Sequence, residues 1–195
     1  MVKKLKLYKD FNVETKHKNS ILLIGNFDGV HLGHQKLFKL ATKYKKKFKL
    51  NIGVVTFEPM PKMFFNPSFK NFRIANLKQK TEHLKSLNVD FIITKKFDKF
   101  FSKTKSIDFI KNILFKKSGA KYIFVSSNFR FGKNREGDVK QLKDKEKKYN
   151  FKIVEPKPLL IQNKIVSSSS IRKFLEIGNL KKANQYLNRN WTIEG

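Results

Sequence analysis

The chain has 195 residues, room for one α/β domain with at most a short appendage, and 39% of them are hydrophobic, so it is too apolar to stay disordered despite 30% charged residues. It contains no cysteine, which removes disulfide scaffolds, thiolate zinc sites and cysteine nucleophiles together. The net charge of +29 would mark a nucleic-acid binder if it were concentrated on one face, but 39 of the 44 basic residues are Lys scattered through every segment, which reads as a residue bias and argues against a nucleic-acid partner. Arg occurs only at 73, 130, 135, 172 and 189, so each position that keeps it is a candidate for work needing a planar, bidentate fork.

Residues 1–10 are Lys-rich and lack the apolar core of a signal peptide, and no later apolar run approaches the ~20 residues of a membrane span, so a soluble cytoplasmic protein without a membrane partner is expected. The first strand is predicted over residues 20–25. It runs directly into Gly25-Asn26-Phe27-Asp28-Gly29-Val30-His31-Leu32-Gly33-His34, after which Leu37, Phe38, Ala41, Tyr44 and Phe48 give a helical stripe. Glycines here allow a tight turn and a close backbone approach, and a helix N-terminus offers free N–H groups and partial positive charge to a phosphate. With a helix starting near His31, His31 and His34 share one face, ~5 to 6 Å apart, where two imidazoles suit donation to phosphoryl oxygens. A metal pair would favour a spacing of four and a third ligand.

A second strand is predicted over 51–57. It ends in Thr56-Phe57-Glu58-Pro59-Met60-Pro61, where Thr56 and the stiff prolines could fix a pocket wall, and residues 59–75 read as one long irregular loop. Helical spacing returns at Leu77, Leu84 and Leu87, a strand at 90–94, a helix at Ile107, Ile110 and Leu114, and a strand at 122–126. The polar segment 127–138 follows. It holds Arg130 and Arg135, Asn128 with its paired donor and acceptor, and Phe129 and Phe131, which could flank an aromatic ring. After a strand at 151–154, Val166-Ser167-Ser168-Ser169-Ser170-Ile171-Arg172 opens a helical pair over 168–187, broken at Gly178-Asn179. Serines cap helices, yet four hydroxyls and an Arg at a helix start also describe a second phosphate clamp.

Strands alternating with helices predict a Rossmann-like doubly wound parallel sheet with helices on both faces and ligands at the carboxyl ends of the strands. Two phosphate sites at helix starts, each after a strand, describe a nucleoside triphosphate held at both ends. That points to nucleotidyl transfer.

His31-Leu32-Gly33-His34 resembles the HxGH motif of the cytidylyl/adenylyltransferase superfamily, and residues 25–35 are similar to the first motif of bacterial FAD synthetases. The later motifs of that family, a TFxPHP-type turn, an N/D-F-x-F-G loop and an I/V-S-S-T-x-I-R segment, find counterparts in order at 56–61, 128–132 and 166–172. The resemblance implies an FMN adenylyltransferase that converts ATP and FMN to FAD and pyrophosphate with Mg²⁺. It implies catalytic roles for His31, His34 and Arg172 and nucleotide contacts from Gly25, Asn26, Phe27, Asp28, Gly33, Ser168, Ser169 and Arg172. It further implies acceptor contacts from Thr56, Pro59, Pro61, Asn128, Phe129, Arg130 and Phe131, with Asn26 nearest a Mg²⁺ carried by the phosphates. Met60 stands where the family has a histidine, Ser126 where it has a glycine and Ser169 where it has a threonine. Residues 1–187 form the adenylyltransferase domain on this reading. Residues 188–195 resemble the junction into a riboflavin kinase domain, with the stretch from Trp191 onward expected to be a loosely docked tail. From the residues alone, a sister HxGH nucleotidyltransferase with another phosphorylated acceptor and a basic nucleic-acid-binding module on a degenerate nucleotide fold remain alternatives.

Overall fold

The computed structural model of the protein describes residues 5–69 and 73–193. Its strands are β1 (Lys6–Tyr8), β2 (Ile21–Ile24), β3 (Ile52–Glu58), β4 (Phe91–Lys96), β5 (Tyr122–Phe124), β6 (Arg130–Phe131), β7 (Gly137–Asp138), β8 (Lys152–Val154), β9 (Leu160–Ile161) and β10 (Lys164–Ile165). Its helices are α1 (Leu32–Phe48), α2 (Pro61–Phe65), α3 (Leu77–Lys85), α4 (Ser106–Asp108, continuing into π-helical turns over Phe109–Lys117), α5 (Val139–Asp144), α6 (Glu146–Tyr149), α7 (Ser168–Glu176) and α8 (Leu180–Leu187).

Six strands form one sheet in the order β1-β4-β3-β2-β5-β8, every neighbouring pair parallel. A parallel sheet is covered on both faces, so its central strands must be apolar throughout rather than alternating. In β2, Leu22 and Ile24 join the core on one face while Ile21 and Leu23 join the core on the other; Val55 and Phe57 against Ile52 and Val54 divide β3 the same way. A third core, built from Ile74, Val166, Ile171, Ala183, Tyr186 and Leu187, lies under the α7–α8 hairpin. Among the described residues no helix is long and apolar enough to cross a membrane.

The chain leaves β2 for β3 and β4 on one side and later returns to β5 on the other, which makes the carboxyl ends of β2 and β5 the topological switch point of the sheet. Local chemistry sets the helices that meet there. The α1 stripe buries Phe38 and Ala41, and the helix ends in left-handed Lys49. A reciprocal capping box between Asn76 and Gln79 starts α3. Ser167 caps α7, Gly178 turns the chain in the left-handed region, and Asn179 caps α8.

The five strands expected from apolar runs are present within one to two residues of their expected limits. One strand was not foreseen, and three expectations need correction. The Lys-rich start contains edge strand β1, which pairs with β4. The stretch 59–75 is not irregular throughout, because Pro61 opens α2 at a position where its missing N–H has no partner to lose; residues 70–72 of it lie outside the described residues. In the helix after residue 105 the buried stripe is Phe109, Ile110, Ile113 and Leu114, leaving Ile107 exposed, since π-type turns advance the face more slowly than 3.6-residue turns. In α3 Leu77 is exposed and Lys80 is buried in the stripe instead.

Candidate active site

At the switch point opens a cavity of about 1190 Å³ lined from Gly25–His34, α2, the Phe97–Phe109 region, 125–135 and 156–172. Among the described residues, the cationic side chains at its lining are Lys36, Lys62, Arg130, Arg135, Lys157 and Arg172, against Asp28 as the one carboxylate-bearing residue. Such a lining favours a polyanion.

The turn between β2 and α1 is built from unusual backbone. Phe27, Gly29 and Val30 all have left-handed φ, at 49°, 76° and 40°. At Gly29 a Cβ would also stand 2.9 Å from Ile74 Cγ2, so both conformation and space demand glycine. His31 caps α1 through its own ring, Nδ1 accepting from the His34 N–H at 3.4 Å. An accepting Nδ1 places the remaining ring proton on Nε2. The helix therefore begins one residue later than expected, and the two imidazoles stack face to face with centroids 3.6 Å apart and planes at 19°, closer than the helical-face estimate. Gly33 makes room for this stack, since a Cβ there would lie 3.1 Å from the His31 ring and 3.2 Å from the Val166 carbonyl.

Both histidines are held neutral. Burial pushes His31 down to about 4, with the Arg172 and Arg189 charges adding to the effect. Burial likewise drives His34 well below the usual imidazole range, helped by His31. His34 Nδ1 is buried without a hydrogen-bond partner among the described residues, at a ring that lines the cavity and touches Phe27 edge-on at 5.1 Å. Neutral imidazoles beside a cationic cavity can donate to phosphate oxygens without giving up a proton.

Asp28 is the hub of the wall. Its carboxylate accepts from the Ile74 N–H at 3.0 Å and the Ala75 N–H at 3.3 Å and pairs with Arg172 at 2.7 Å, while its carbonyl accepts from the Ser168 hydroxyl at 2.9 Å. The starts of α1 and α7 are thus stapled together. Asp28, 3% exposed, lines the cavity with its carboxylate already engaged, and Arg172 presents a fork oriented by that carboxylate. Thr56 and Pro59 are displaced from the expected acceptor wall, since neither lines the cavity. Thr56 is fully buried; its hydroxyl donates to the Asn26 carbonyl at 3.2 Å and accepts from Lys80 Nζ at 3.2 Å, so it braces Asn26 from behind. Met60, in place of the family's histidine, is buried as the cap residue of α2.

Gly25, Asn26, Phe27, Gly33, Pro61, Asn128, Phe129, Arg130, Phe131, Ser168 and Ser169 all line the cavity, as the sequence expectation placed them. Asn128 Oδ1 accepts from the Ser126 hydroxyl at 2.8 Å, and Phe129 stacks on Phe131 at 5.5 Å. Opposed to the histidine wall in chemistry is an aromatic one that sequence reasoning missed: Phe65, Phe69, Phe97 and Phe101 also line the cavity, Phe97 touching Phe64, Phe65 and Phe101 edge-on at 5.3 to 5.8 Å. The signal was the abundance of Phe, 20 residues, with no pattern to say which ones face a ligand. Arg scarcity was the better guide. Arg130, Arg135 and Arg172 line the cavity, Arg73 pairs with Glu58 at the end of β3, and Arg189 donates to the Gly29 carbonyl.

The expected loose tail from Trp191 is docked. Trp191 Nε1 donates to the Ile74 carbonyl at 2.9 Å and its N–H to Asn184 Oδ1 at 2.8 Å, and Gln79 reaches the Thr192 carbonyl at 3.2 Å. An indole with a satisfied N–H and an apolar body anchors even a short segment. Residues 194 and 195 lie outside the described residues.

No cluster of three or more metal-ligating His, Cys, Asp or Glu side chains exists among the described residues. With the Asp28 carboxylate consumed by Arg172 and two backbone N–H groups, the chain's own residues do not fit a protein-held Mg²⁺ at the cavity.

Against known proteins, the family model described as FAD synthetase matches residues 13–170. The chain is 40% identical over 184 residues to a bifunctional riboflavin kinase/FMN adenylyltransferase of Buchnera aphidicola and 31% identical over 182 residues to one of Escherichia coli, alignments covering 94% and 93% of this chain. They cover 59% and 58% of those relatives, so the chain spans somewhat over half their length. A FAD synthetase of Listeria monocytogenes is 29% identical over 178 residues, 90% of this chain and 71% of that protein. Among solved structures, one described as a macrolide-efflux protein from Streptococcus pneumoniae superposes with a TM-score of 0.83 at 26% identity, covering 96% of this chain and 71% of that one.

Proposed function

The chain belongs to the FAD synthetase family, and from that membership we propose that it is an FMN adenylyltransferase: it transfers AMP from ATP to FMN, giving FAD and pyrophosphate, in the cytoplasm. The observation that carries the reading is the stacked, neutral His31–His34 pair at the start of α1, stapled through Asp28 to the start of α7 at the mouth of a cationic cavity.

The chemistry needs little covalent help. The FMN phosphate is already an anionic nucleophile; one of its oxygens forms a bond to the α-phosphorus of ATP as the bond to the pyrophosphate oxygen breaks in line. The residues must position two polyanions and neutralise the charge that moves onto the leaving oxygen. His31 through Nε2 and His34 donate to phosphate oxygens, the Ser168 and Ser169 N–H groups at the start of α7 bind the far end of the triphosphate, and Arg172 adds a guanidinium oriented by Asp28. Asn128 and the Phe129–Phe131 pair, with Pro61 and the aromatic wall, take the isoalloxazine, a ring system suited to stacking. Mg²⁺ carried by the triphosphate would supply further charge neutralisation when bound, and Asn26, which lines the cavity, is the residue the family resemblance puts beside it. The test is incubation with ATP, Mg²⁺ and FMN, with nicotinamide mononucleotide and phosphopantetheine as control acceptors. FAD and pyrophosphate from FMN alone support the reading, and turnover of another acceptor in preference to FMN contradicts it.

A further inference from the structure

Beyond the motif residues, the chain makes a second grip on the left-handed turn that aims the histidines. After α8 the chain passes back over this turn. Arg189 Nη2 donates to the Gly29 carbonyl at 2.6 Å and Nη1 to the Leu187 carbonyl at 3.2 Å, so one planar guanidinium bridges the turn to the end of α8. Beside it Gln35 Nε2 donates to the carbonyls of Val30 and Leu187, both at 3.0 Å, closing the same bridge from α1. Two carbonyls of the strained turn, Gly29 and Val30, are therefore tied to the α8 terminus.

The turn needs such ties. Val30 is β-branched and held at φ 40°, a conformation that costs on the order of 1–3 kcal/mol and persists only where the surroundings enforce it. Relaxation of Val30 toward negative φ would rotate the peptide that leads into His31 and unstack the imidazoles. Charge selects Arg at 189 as well as shape: Lys is the default cation here by 39 to 5, and an ammonium cannot bridge two carbonyls in a plane as a guanidinium does.

We propose that Arg189 is a positioning residue of the nucleotidyl-transfer site, holding the Phe27–Val30 turn in the conformation that stacks His31 on His34. The proposal rests on the function given above, but the geometry it invokes does not depend on the acceptor. The charged and titratable groups facing His31 are His34 on α1, Arg172 on α7, Arg189 after α8, and Asp28, whose carboxylate is taken up by Arg172. Loss of the Arg189 charge should therefore raise the His31 titration as well as loosen the stack.

The test compares Arg189→Gln, Arg189→Lys and Trp191→Phe in the full chain. Trp191→Phe removes the Nε1 bond to Ile74 on the same docked segment without touching the turn, and so reports what mere loosening of the segment does. Arg189→Gln should lower kcat by ~10- to 10²-fold, the scale of a small misplacement of catalytic groups, with a smaller change in KM for ATP. The His31 ring, followed by NMR, should titrate at higher pH in Arg189→Gln than in the wild type. Arg189→Lys should bring the titration back toward wild type while recovering only part of kcat. Trp191→Phe should lower the melting temperature and leave kcat and the His31 titration unchanged. A wild-type kcat and His31 titration in Arg189→Gln would overturn the proposal, as would losses of kcat that track melting temperature equally in Arg189→Gln and Trp191→Phe. A wild-type chain that makes no FAD would overturn the assigned reaction instead, and loss of the His31–His34 ring-to-ring NMR contacts in Arg189→Gln but not in Trp191→Phe would still decide whether Arg189 positions the ring.

Discussion

The histidine wall of the cavity is fixed by hydrogen bonds and an ion pair among largely buried groups, whereas the aromatic wall rests on ring contacts and leaves Phe65 66% exposed and nearby Phe100 88% exposed. On the first wall His31 holds the His34 N–H, Arg172 holds Asp28 and Ser168 holds the Asp28 carbonyl, while the His34 ring, stacked on His31, keeps Nδ1 without a hydrogen-bond partner among the described residues. On the second, Phe97 gathers edge contacts from Phe64, Phe65 and Phe101, which constrain centroid distances far less than a hydrogen bond constrains an atom. Phosphoryl transfer depends on donors placed to a few tenths of an ångström, while a flat ring is held by area. On the proposed function, the contrast predicts that turnover depends on the first wall and acceptor affinity on the second.

If that division is right, the largest single effect comes from the histidine wall. His34→Ala should keep the fold and lower kcat by ~10²- to 10³-fold, the loss typical of one preorganised donor. Steady-state kinetics with circular dichroism checks it; an active variant, or one inactive only because it unfolds, would break the division.

Next in size is a pH effect peculiar to the histidine wall. His31, held near 4, and His34, also depressed, are neutral in the folded protein, while in the unfolded chain both protonate as pH falls through about 6.5. The unfolded state then binds more protons, so stability present above pH 6.5 is lost as pH falls toward the folded pKa, on the order of 2 kcal/mol from His31 between pH 7 and 5, with His34 acting in the same direction. Melting curves of the wild type and His31→Asn over that range should diverge, the wild type falling more steeply. Equal slopes would show that the wall is not desolvated as described.

Arg172→Lys sharpens the comparison further. The charge remains, but a single ammonium cannot hold Asp28 and fork phosphate oxygens together, so KM for ATP should rise about tenfold. Unchanged ATP affinity in a titration would reduce Arg172 to a structural partner of Asp28. The smallest effect belongs to the aromatic wall: Phe65→Ala should weaken FMN by about 1 kcal/mol or less with kcat intact, read as a KM change for FMN alone. A fall in kcat at saturating FMN would mean that the aromatic wall also aims the acceptor.

The two walls also differ in how far they could be read from sequence. The sheet was legible because fully buried parallel strands are continuous apolar runs, and the α1 and α7 starts were legible because glycines, histidines and serines follow strands there with distinctive spacing. The structural contacts of Asp28 were not legible, since a carboxylate reaching Ile74 and Arg172, 46 and 144 positions away, leaves no local pattern. Thr56 failed for a related reason: its position at the end of β3 is right, but strand alternation sends the hydroxyl behind the site to Asn26 and Lys80. The wall of Phe65, Phe69, Phe97 and Phe101 was invisible among 20 Phe, because it assembles from α2 and the segments after it and after β4 without shared periodicity. Trp191 was misjudged on segment length, when its docking depends on one indole N–H finding the Ile74 carbonyl.

The central claim, that a histidine wall fixed for phosphate chemistry works with an aromatic wall that takes a flavin, is tested most directly by product analysis of the purified chain with ATP, Mg²⁺ and FMN. Chromatography should show FAD and pyrophosphate appearing in equal amounts, with FAD formation abolished to near background in His34→Ala and retained in Phe65→Ala at saturating FMN. Formation of pyrophosphate without FAD, or FAD formation insensitive to His34→Ala, would contradict it.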